Sequence, residues 1–473
     1  MSEPSSLDKA SVAAIYERAQ ALVGRTVAEA VPGLESKINK RNKGDLGLIV
    51  ERYYFEHDPP DINEPDFDEA GLELKVTGVI AKRDGNLRAK ERLVLTMINY
   101  ETIVDETWET SKFLNKCKLM LILFYEYDKA KDNLSRRFVL EPVLHRLAKP
   151  VVWPEEDELK RLRAFEIEIP AEDVNTIRGD WETIQAKVKQ GLAHELSEGD
   201  TTFLGACRKG SGGLDEPLRK QPFSKQRAKA RAFSLKPAYV NRLIRDISRD
   251  SEESRDELLV RTAPHLPTQT FEESVLRCFS GFVGLTLGEV AESLGYHRPP
   301  KGYKGFHREV ARRILLGGAV GISALDIEDI EMKTIRVNNE WKPNEAMSFP
   351  NFRYLEIVNE RWEDSKFCEK LEKRFLFVVF RTDELGVERL AKVFYWNMPY
   401  QDRQEARRVW LRTKKCVAKD ARFLPTSSDS HVAHARPKAR NSRDRELTPQ
   451  GTKLVKKCFW LNRDYVASVL KDA

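Results

Sequence analysis

The sequence of 473 residues predicts an α/β protein made of two tandem copies of one domain, each a mixed sheet flanked by helices. Two observations lead there. Strand-like and helix-like apolar patterns alternate along each half, as they do where helices cover a sheet. A set of anchors also recurs in the same order. WETSKF at 108–113 matches WEDSKF at 362–367, with YETIVDETW (100–108) and YLEIVNERW (354–362) leading into them. The apolar runs LMLILFY (119–125) and FLFVVF (375–380) follow. KGDLGLIVE (43–51) faces KGYKGFHRE (301–309), and FSLKPAYV (233–240) faces FWLNRDYV (459–466). Each half sets a tryptophan eleven residues after a proline, Pro170 to Trp181 and Pro399 to Trp410. Nearly constant offsets over roughly 200 residues mark a duplicated domain, not a short-period solenoid.

The elements follow in order. Val12, Ile15, Ala19 and Val23 give helical spacing over 8–24. Leu46, Ile49, Val50 and Tyr53 form the buried stripe of a helix over 46–56, with Glu51 off that stripe and able to lean toward a neighbouring strand. Residues 72–80 read as a strand and 91–107 as a helix. LMLILFY is apolar on both faces, as a central strand is. Residues 173–192 read as a helix, the glycine-rich 205–222 as a loop able to reach a groove, and Phe233 to Tyr239 as a strand. Polar, charged residues then give way to proline, which marks 246–270 as a linker. The pattern restarts at Phe271. The expected organisation is a domain over 1–245, a linker over 246–270 and a second copy over 271–473.

Composition narrows the class. Hydrophobic residues make up 41% and charged residues 33%, which suits a folded protein with a polar surface. A formal net charge of +6 permits polyanion binding without demanding it. Local clusters say more: KQRAKARAF (225–233), KKCVAKDAR (414–422) and ARPKARNSRDR (435–445) are strongly basic. Several such runs, two at matching places in the copies, favour a surface that tracks phosphates. The six cysteines form no Cys-x-x-Cys pair, which argues against a zinc site and for free thiols in a reducing compartment. The N-terminus lacks a signal-peptide core, and apolar runs stop at about seven residues, too short to span a bilayer. A cytoplasmic protein with no membrane partner is expected.

The chemistry concentrates in DFDEAGLELK (66–75). On a strand, Glu73 and Lys75 project together while Leu72 and Leu74 face the core. A hairpin would return Asp66 to the side of Glu73. Two converging carboxylates repel unless a hard cation lies between them, and Mg²⁺ is the usual one. A lysine beside it can orient or deprotonate a water and balance phosphate charge. The duplication supplies an internal comparison. Glu51 matches Glu309, Glu73 matches Glu331, Lys75 matches Lys333 and Lys116 matches Lys370, but Asp66 matches Ala324. Asp326 lies two residues on, a shift of about 6–7 Å along a strand, too far to substitute. The first half is expected to cut and the second to bind without cutting.

The ordered set KGxxGxxxE, DFxxxGxELK and WETS before an apolar strand resembles the MutH mismatch-repair nicking endonuclease. With AHELSEG (193–199), RAFSL (231–235), RFLFVVF (374–380), YWNMP (395–399) and KCFWLN (457–462), nearly the whole chain is similar to GATC-cutting type II restriction endonucleases of the Sau3A class. The resemblance implies a PD-(D/E)xK nuclease fold in both copies and Mg²⁺-dependent cleavage of double-stranded DNA at GATC. It implies Asp66 and Glu73 as metal ligands, Glu51 as a helix-borne acid, Lys75 as the water-positioning base and Lys116 as the second active-site lysine, with Lys118 as the alternative. DNA contacts would come from Arg208, Lys209 and Lys236, and in the second copy from Arg436 and Lys438, Arg436 facing Arg208. The second copy would grip another GATC site as an allosteric effector, two sites per active complex, with room for a DNA-induced dimer. A cognate methyltransferase would act on the same site without needing to bind the enzyme. A MutH-type nickase and a non-catalytic DNA-binding protein are the alternatives.

Overall fold

All seven side chains of 119–125 are buried, and the strand they form is the middle of a five-stranded mixed sheet. The computed structural model describes residues 7–34, 46–58, 64–81, 87–149, 152–154, 166–167, 169–209, 218–248, 271–296, 305–317 and 330–472. The chain divides into two compact units, Met1–Glu257 and Leu258–Ala473. Ala324 and Asp326, and most of the expected linker, lie outside the described residues.

In the first unit the strands are β1 (Glu73–Ala81), β2 (Leu87–Ala89), β3 (Leu93–Met97), β4 (Leu119–Glu126), β5 (Val143–Arg146), β6 (Glu166–Ile167), β7 (Leu204–Arg208), β8 (Arg219–Gln221), β9 (Ser224–Ala228) and β10 (Arg231–Leu235). The main sheet has the order β2-β1-β4-β5-β6, with β1–β4 and β5–β6 parallel. Side chains of β4 alternate between two cores, as the period of a strand requires. Leu119, Leu121 and Leu123 pack with the helix Val12–Gln20 and the segment 46–55. Met120, Ile122 and Phe124 pack toward the helix Ala171–Lys189 and the smaller sheet β3-β10-β7.

The second unit has β11 (Ile330–Val337), β12 (Met347–Asn351), β13 (Arg374–Thr382), β14 (Glu388–Trp396), β15 (Ala433–Pro437), β16 (Arg445–Leu447), β17 (Lys453–Val455) and β18 (Lys457–Leu461). Its sheets run β11-β13-β14 and β12-β18-β15, with β11 and β13 parallel. β13 alternates in the same manner, Phe375, Phe377 and Val379 against Leu376, Val378 and Phe380.

The repeated WE(T/D)SKF segments have a structural reason. Ser111 caps the helix Lys112–Cys117 by accepting from Leu114 N at 3.0 Å and donates to the Trp108 carbonyl at 2.8 Å. Ser365 does the same before Lys366–Glu372, with Cys368 N at 3.1 Å and the Trp362 carbonyl at 2.7 Å. Trp108 meets Trp181 with ring centroids 6.0 Å apart, and Trp362 meets Trp410 at 5.8 Å. The tryptophan spacing in the sequence thus reflects one corner built twice.

Three local expectations change. The segment 91–107 is not a helix: Leu93–Met97 is strand β3, paired with β10, and only a short 3-10 turn, Ile103–Asp105, follows. The stretch Phe233 to Tyr239 is strand only to Leu235; Pro237 then opens the helix Pro237–Ser248, where proline loses no helical hydrogen bond. Of the stretch 205–222, the start belongs to β7 and Arg219–Gln221 to β8, while 210–217 lies outside the described residues. All six cysteines are free. Among the described residues no helix is long and apolar enough to cross a membrane.

Candidate active site

A tight hairpin precedes β1. Phe67 and Leu72 exchange backbone hydrogen bonds at 2.9 and 3.0 Å, and Gly71 takes φ +64° within the turn. This returns Asp66 to Glu73: Asp66 N donates to Glu73 Oε2 at 3.1 Å, and Leu74 N donates to Asp66 Oδ2 at 2.8 Å. Leu72 and Leu74 face the core on the opposite side of β1. Lys75 Nζ is ion-paired to Glu73 Oε1. Lys116, on the capped helix after Ser111, reaches the same oxygen at 3.6 Å and donates to the Glu64 carbonyl at 3.0 Å. Lys118 instead closes that helix, its carbonyl accepting from Leu147 and Ala148.

Glu51 arrives from below the sheet edge on an irregular helix. Leu46–Ile49 is α-helical, but Val50–Tyr54 widens into a π turn, a feature frequent at functional sites. Glu51 is 8% exposed and its Oε1 is buried without a hydrogen-bond partner. Burial, then the charges of Asp66 and Glu73, push its carboxyl up to about 7. Glu73 is 1% exposed, and burial outweighs Lys75 to push it up to about 7 as well. Burial pulls the Lys75 ammonium down, but Glu73 and Asp66 prevail and hold it above its ordinary value. Lys75 is therefore held in its charged form beside these carboxylates.

These residues suit a hard cation. Three carboxylates face two ammonium groups, and one carboxylate oxygen is buried unpaired. Among the described residues no three His, Cys, Asp or Glu side chains close into a full metal shell. A Mg²⁺ ion usually takes only one or two protein carboxylates and keeps several waters.

The second unit carries a different charge set. Glu331, the second residue of β11, pairs with Lys333 at 3.1 Å and Lys370 at 2.7 Å. Although burial opposes it, these two lysines hold its carboxyl below the ordinary value. Burial, with Lys370 and Lys438 nearby, pulls Lys333 down despite Glu331. Glu309 does not join them in its hydrogen bonding: it is clamped by Arg312 at 2.5 and 2.7 Å and Arg313 at 3.0 Å on its own helix.

The expected DNA contacts separate by burial. Lys209 is exposed at the end of β7 and Arg208 is half-buried there. Lys438 is exposed, its Nζ donating to the Phe349 carbonyl at 2.9 Å. Arg436 is exposed and lies 3.9 Å above the Trp460 ring. Lys236 is a correction. It is 2% exposed, and its ammonium is spent on the backbone carbonyls of Glu198 and Thr201, so it holds the β7–β10 corner instead of facing a ligand. The matching of Arg436 to Arg208 also changes. Arg208 pairs with Arg231 of β10, whereas Arg436 pairs with Cys458 of β18, one position further along. In register Arg208 corresponds to Pro437, and a one-residue offset reverses the face. Phe223, overlooked in the sequence, is a large exposed side chain.

A sequence model of the family described as DNA mismatch repair enzyme MutH matches residues 55–162 and 322–408. The chain is 32% identical to the type II restriction enzyme Sau3AI of Staphylococcus aureus over 95% of its own length and 92% of that protein. The DNA mismatch repair protein MutH of Shewanella woodyi is 26% identical over 45% of this chain and 95% of its own length. MutH of Pasteurella multocida is 25% identical over 43% of this chain and 97% of its own length. The MutH proteins span less than half of this chain, whereas the restriction enzyme spans both units. With that identity along nearly all of both chains, the protein belongs to the MutH-related type II restriction enzymes and is a DNA-binding, site-specific deoxyribonuclease.

Proposed function

We propose that the first unit makes Mg²⁺-dependent double-strand cuts at GATC sites and that the second unit binds another GATC site as an allosteric effector without cutting. The observation that carries this is the meeting of Asp66, Glu73, Lys75 and Lys116 at the start of β1, with Glu51 electrostatically coupled to them. Asp66 and Glu73 would hold Mg²⁺, which when bound supplies an activated water and a positive charge for the phosphate. Asp66, fixed by Leu74 N, keeps Glu73 in place through its own backbone N–H. Lys75 and Lys116 neutralise charge that builds on the phosphate as the new P–O bond forms and the bond to the sugar oxygen breaks. Glu51, with a carboxyl that titrates near 7, can accept a proton from the attacking water.

In the second unit one carboxylate sits between two lysines, a set that attracts phosphate more than a cation. Lys438 and Arg436 extend the positive surface. This supports a grip on DNA without hydrolysis. Coverage favours a restriction enzyme over a repair nickase, since the MutH proteins match only one unit's worth of chain. Supercoiled plasmid carrying GATC sites, incubated with the protein and Mg²⁺, should be linearised with ends that map to GATC. Accumulation of nicked circles alone would favour the nickase, and no cutting with retained binding would favour the non-catalytic reading.

A further inference from the structure

The hairpin β8–β9 turns through Pro222 and Phe223, with Gln221 paired to Ser224 across the turn. Phe223 has φ +60° and is 76% exposed. In a turn with proline at the first central position, the second takes positive φ only at ease with glycine or asparagine. A phenylalanine there strains the backbone and leaves an apolar ring in water. Glycine would remove both penalties.

The turn is not slack. The Phe223 carbonyl lies so close to Gly191 that a β-carbon on that glycine would meet it at 2.7 Å. Gln221 is buried, accepts from Ala193 N at 2.8 Å and donates to the Gln226 carbonyl at 2.5 Å. The ring is therefore held outward on a fixed base. Arg219, Lys220, Lys225 and Arg227 are exposed on the two strands around it. Just past the end of the hairpin, the Ala230 carbonyl accepts from the Lys209 N–H at 2.9 Å. The chain continues into β10, where Phe233 packs 4.9 Å from Phe113 on the helix that carries Lys116.

The second unit has the corresponding hairpin, β16–β17, without the ring. There Pro449 is followed by Gln450, and the positive φ, +78°, falls on Gly451. Gln450 turns back to the Val417 carbonyl at 2.9 Å.

We propose that Phe223 is a wedge that enters the minor groove and unstacks a base step of the duplex held by the first unit, while the flanking cations grip the phosphates on either side. Apolar wedges between base steps bend DNA toward a protein at the expense of stacking. The second unit, lacking the ring, binds its DNA without that distortion. The proposal rests on the first unit being the half that cuts.

The test uses full-length Phe223→Gly, Phe223→Ala and Phe223→Leu proteins and GATC duplexes with 2-aminopurine at successive positions, bound with Ca²⁺ in place of Mg²⁺. Wild type should brighten one position in or beside the site. Phe223→Gly and Phe223→Ala should lose that signal, and Phe223→Leu should keep most of it. Phe223→Gly should melt no lower than wild type, because it relieves the turn, yet cut roughly 10- to 100-fold more slowly. Phe223→Gly that cuts within twofold of wild type with the same fluorescence would overturn the wedge. So would a duplex in which wild type brightens no position, or a Phe223→Gly protein that melts well below wild type, since the ring would then serve stability. Wild type that fails to cut GATC plasmid would reject the underlying reading instead.

Discussion

Glu51→Gln should stabilise the metal-free protein while impairing the enzyme. Glu51 is buried, one of its oxygens has no partner, and its carboxyl is pushed up from 4.5 to about 7 by burial and by Asp66 and Glu73. A folded-state value above the unfolded one means that ionisation opposes folding. The favourable contribution is fully present below about 4.5 and is lost as pH rises through about 7. At about 1.4 kcal/mol per unit, the raised carboxyl corresponds to roughly 3 kcal/mol of penalty at pH 8. Halving this for residual solvent screening leaves about 1–2 kcal/mol. For a unit of this size that is a rise in Tm of roughly 3–6 °C.

The assay is thermal unfolding with EDTA at pH 8, repeated at pH 5 and with Mg²⁺. The gain from Glu51→Gln should be full at pH 8 and shrink toward pH 5, where wild-type Glu51 is already mostly protonated. Mg²⁺ should stabilise wild type more than the variant, because the cation relieves the repulsion that the glutamine has already removed. Glu51→Gln that melts at or below wild type in EDTA at pH 8 would refute the electrostatic account of this centre.

Asp66→Asn and Glu73→Gln should lower cleavage by roughly three or more orders of magnitude and retain DNA binding, measured by single-turnover cutting and gel shift. The amide variants are the right ones, because both acids are buried and Asp66→Ala would leave Leu74 N unpaired. Glu331→Ala and Lys333→Ala should change the cutting rate far less than their first-unit counterparts Glu73→Gln and Lys75→Ala; equal losses would show chemistry in the second unit. Lys236→Met should lower Tm by removing a buried anchor, with the loss in DNA affinity no greater than the loss of folded protein explains. A plasmid with two GATC sites should be cut faster per site than one with a single site, and a GATC duplex added in trans should restore the slow one; equal rates would leave the second unit a simple clamp.

Much of the candidate site is legible in the sequence because it is local. Asp66 and Glu73 are seven residues apart around a turn containing Gly71, and the alternation of Leu72, Glu73, Leu74 and Lys75 states which side faces the core. Lys116 is tied to the repeated Ser-capped helix start. What escaped depends on distant chain. Leu93–Met97 carries apolar residues at both strand and helix spacings, and pairing with β10, more than 130 residues away, decides for the strand. Lys236 looks like any surface lysine until the carbonyls of Glu198 and Thr201 close on it. The π turn that carries Glu51 leaves no mark in the apolar stripe, which reads as an ordinary helix. Phe223 lies inside a basic run, and its only mark in the sequence is a proline followed by an aromatic.

In the proposed reading, a small difference in charge set separates a cation site in the first unit from an anion site in the second. In the first unit Glu51, Asp66 and Glu73 face Lys75 and Lys116, an excess of one negative charge in a buried place. Burial first, and then the charge of Asp66, raises the Glu51 and Glu73 carboxyls, and a divalent cation would relieve them. In the second, Glu331 faces Lys333 and Lys370, an excess of one positive charge, and Glu309 is occupied by Arg312 and Arg313. Its carboxyls are lowered, not raised, because their basic partners outweigh burial, which in the proposed reading favours a phosphate over a cation. Ala324 is matched to Asp66 by sequence alone; one acid restored there would add a single negative charge, and Glu309 would still be held by its arginines. Ala324→Asp should therefore leave the second unit unable to cut. Ala324→Asp joined with Arg312→Ala and Arg313→Ala should weaken DNA binding by that unit, as the positive excess turns negative. The readout is the salt dependence of binding to a GATC duplex: the triple variant should give a shallower slope of log affinity against log salt than wild type. An unchanged slope would mean that this pocket does not touch phosphate.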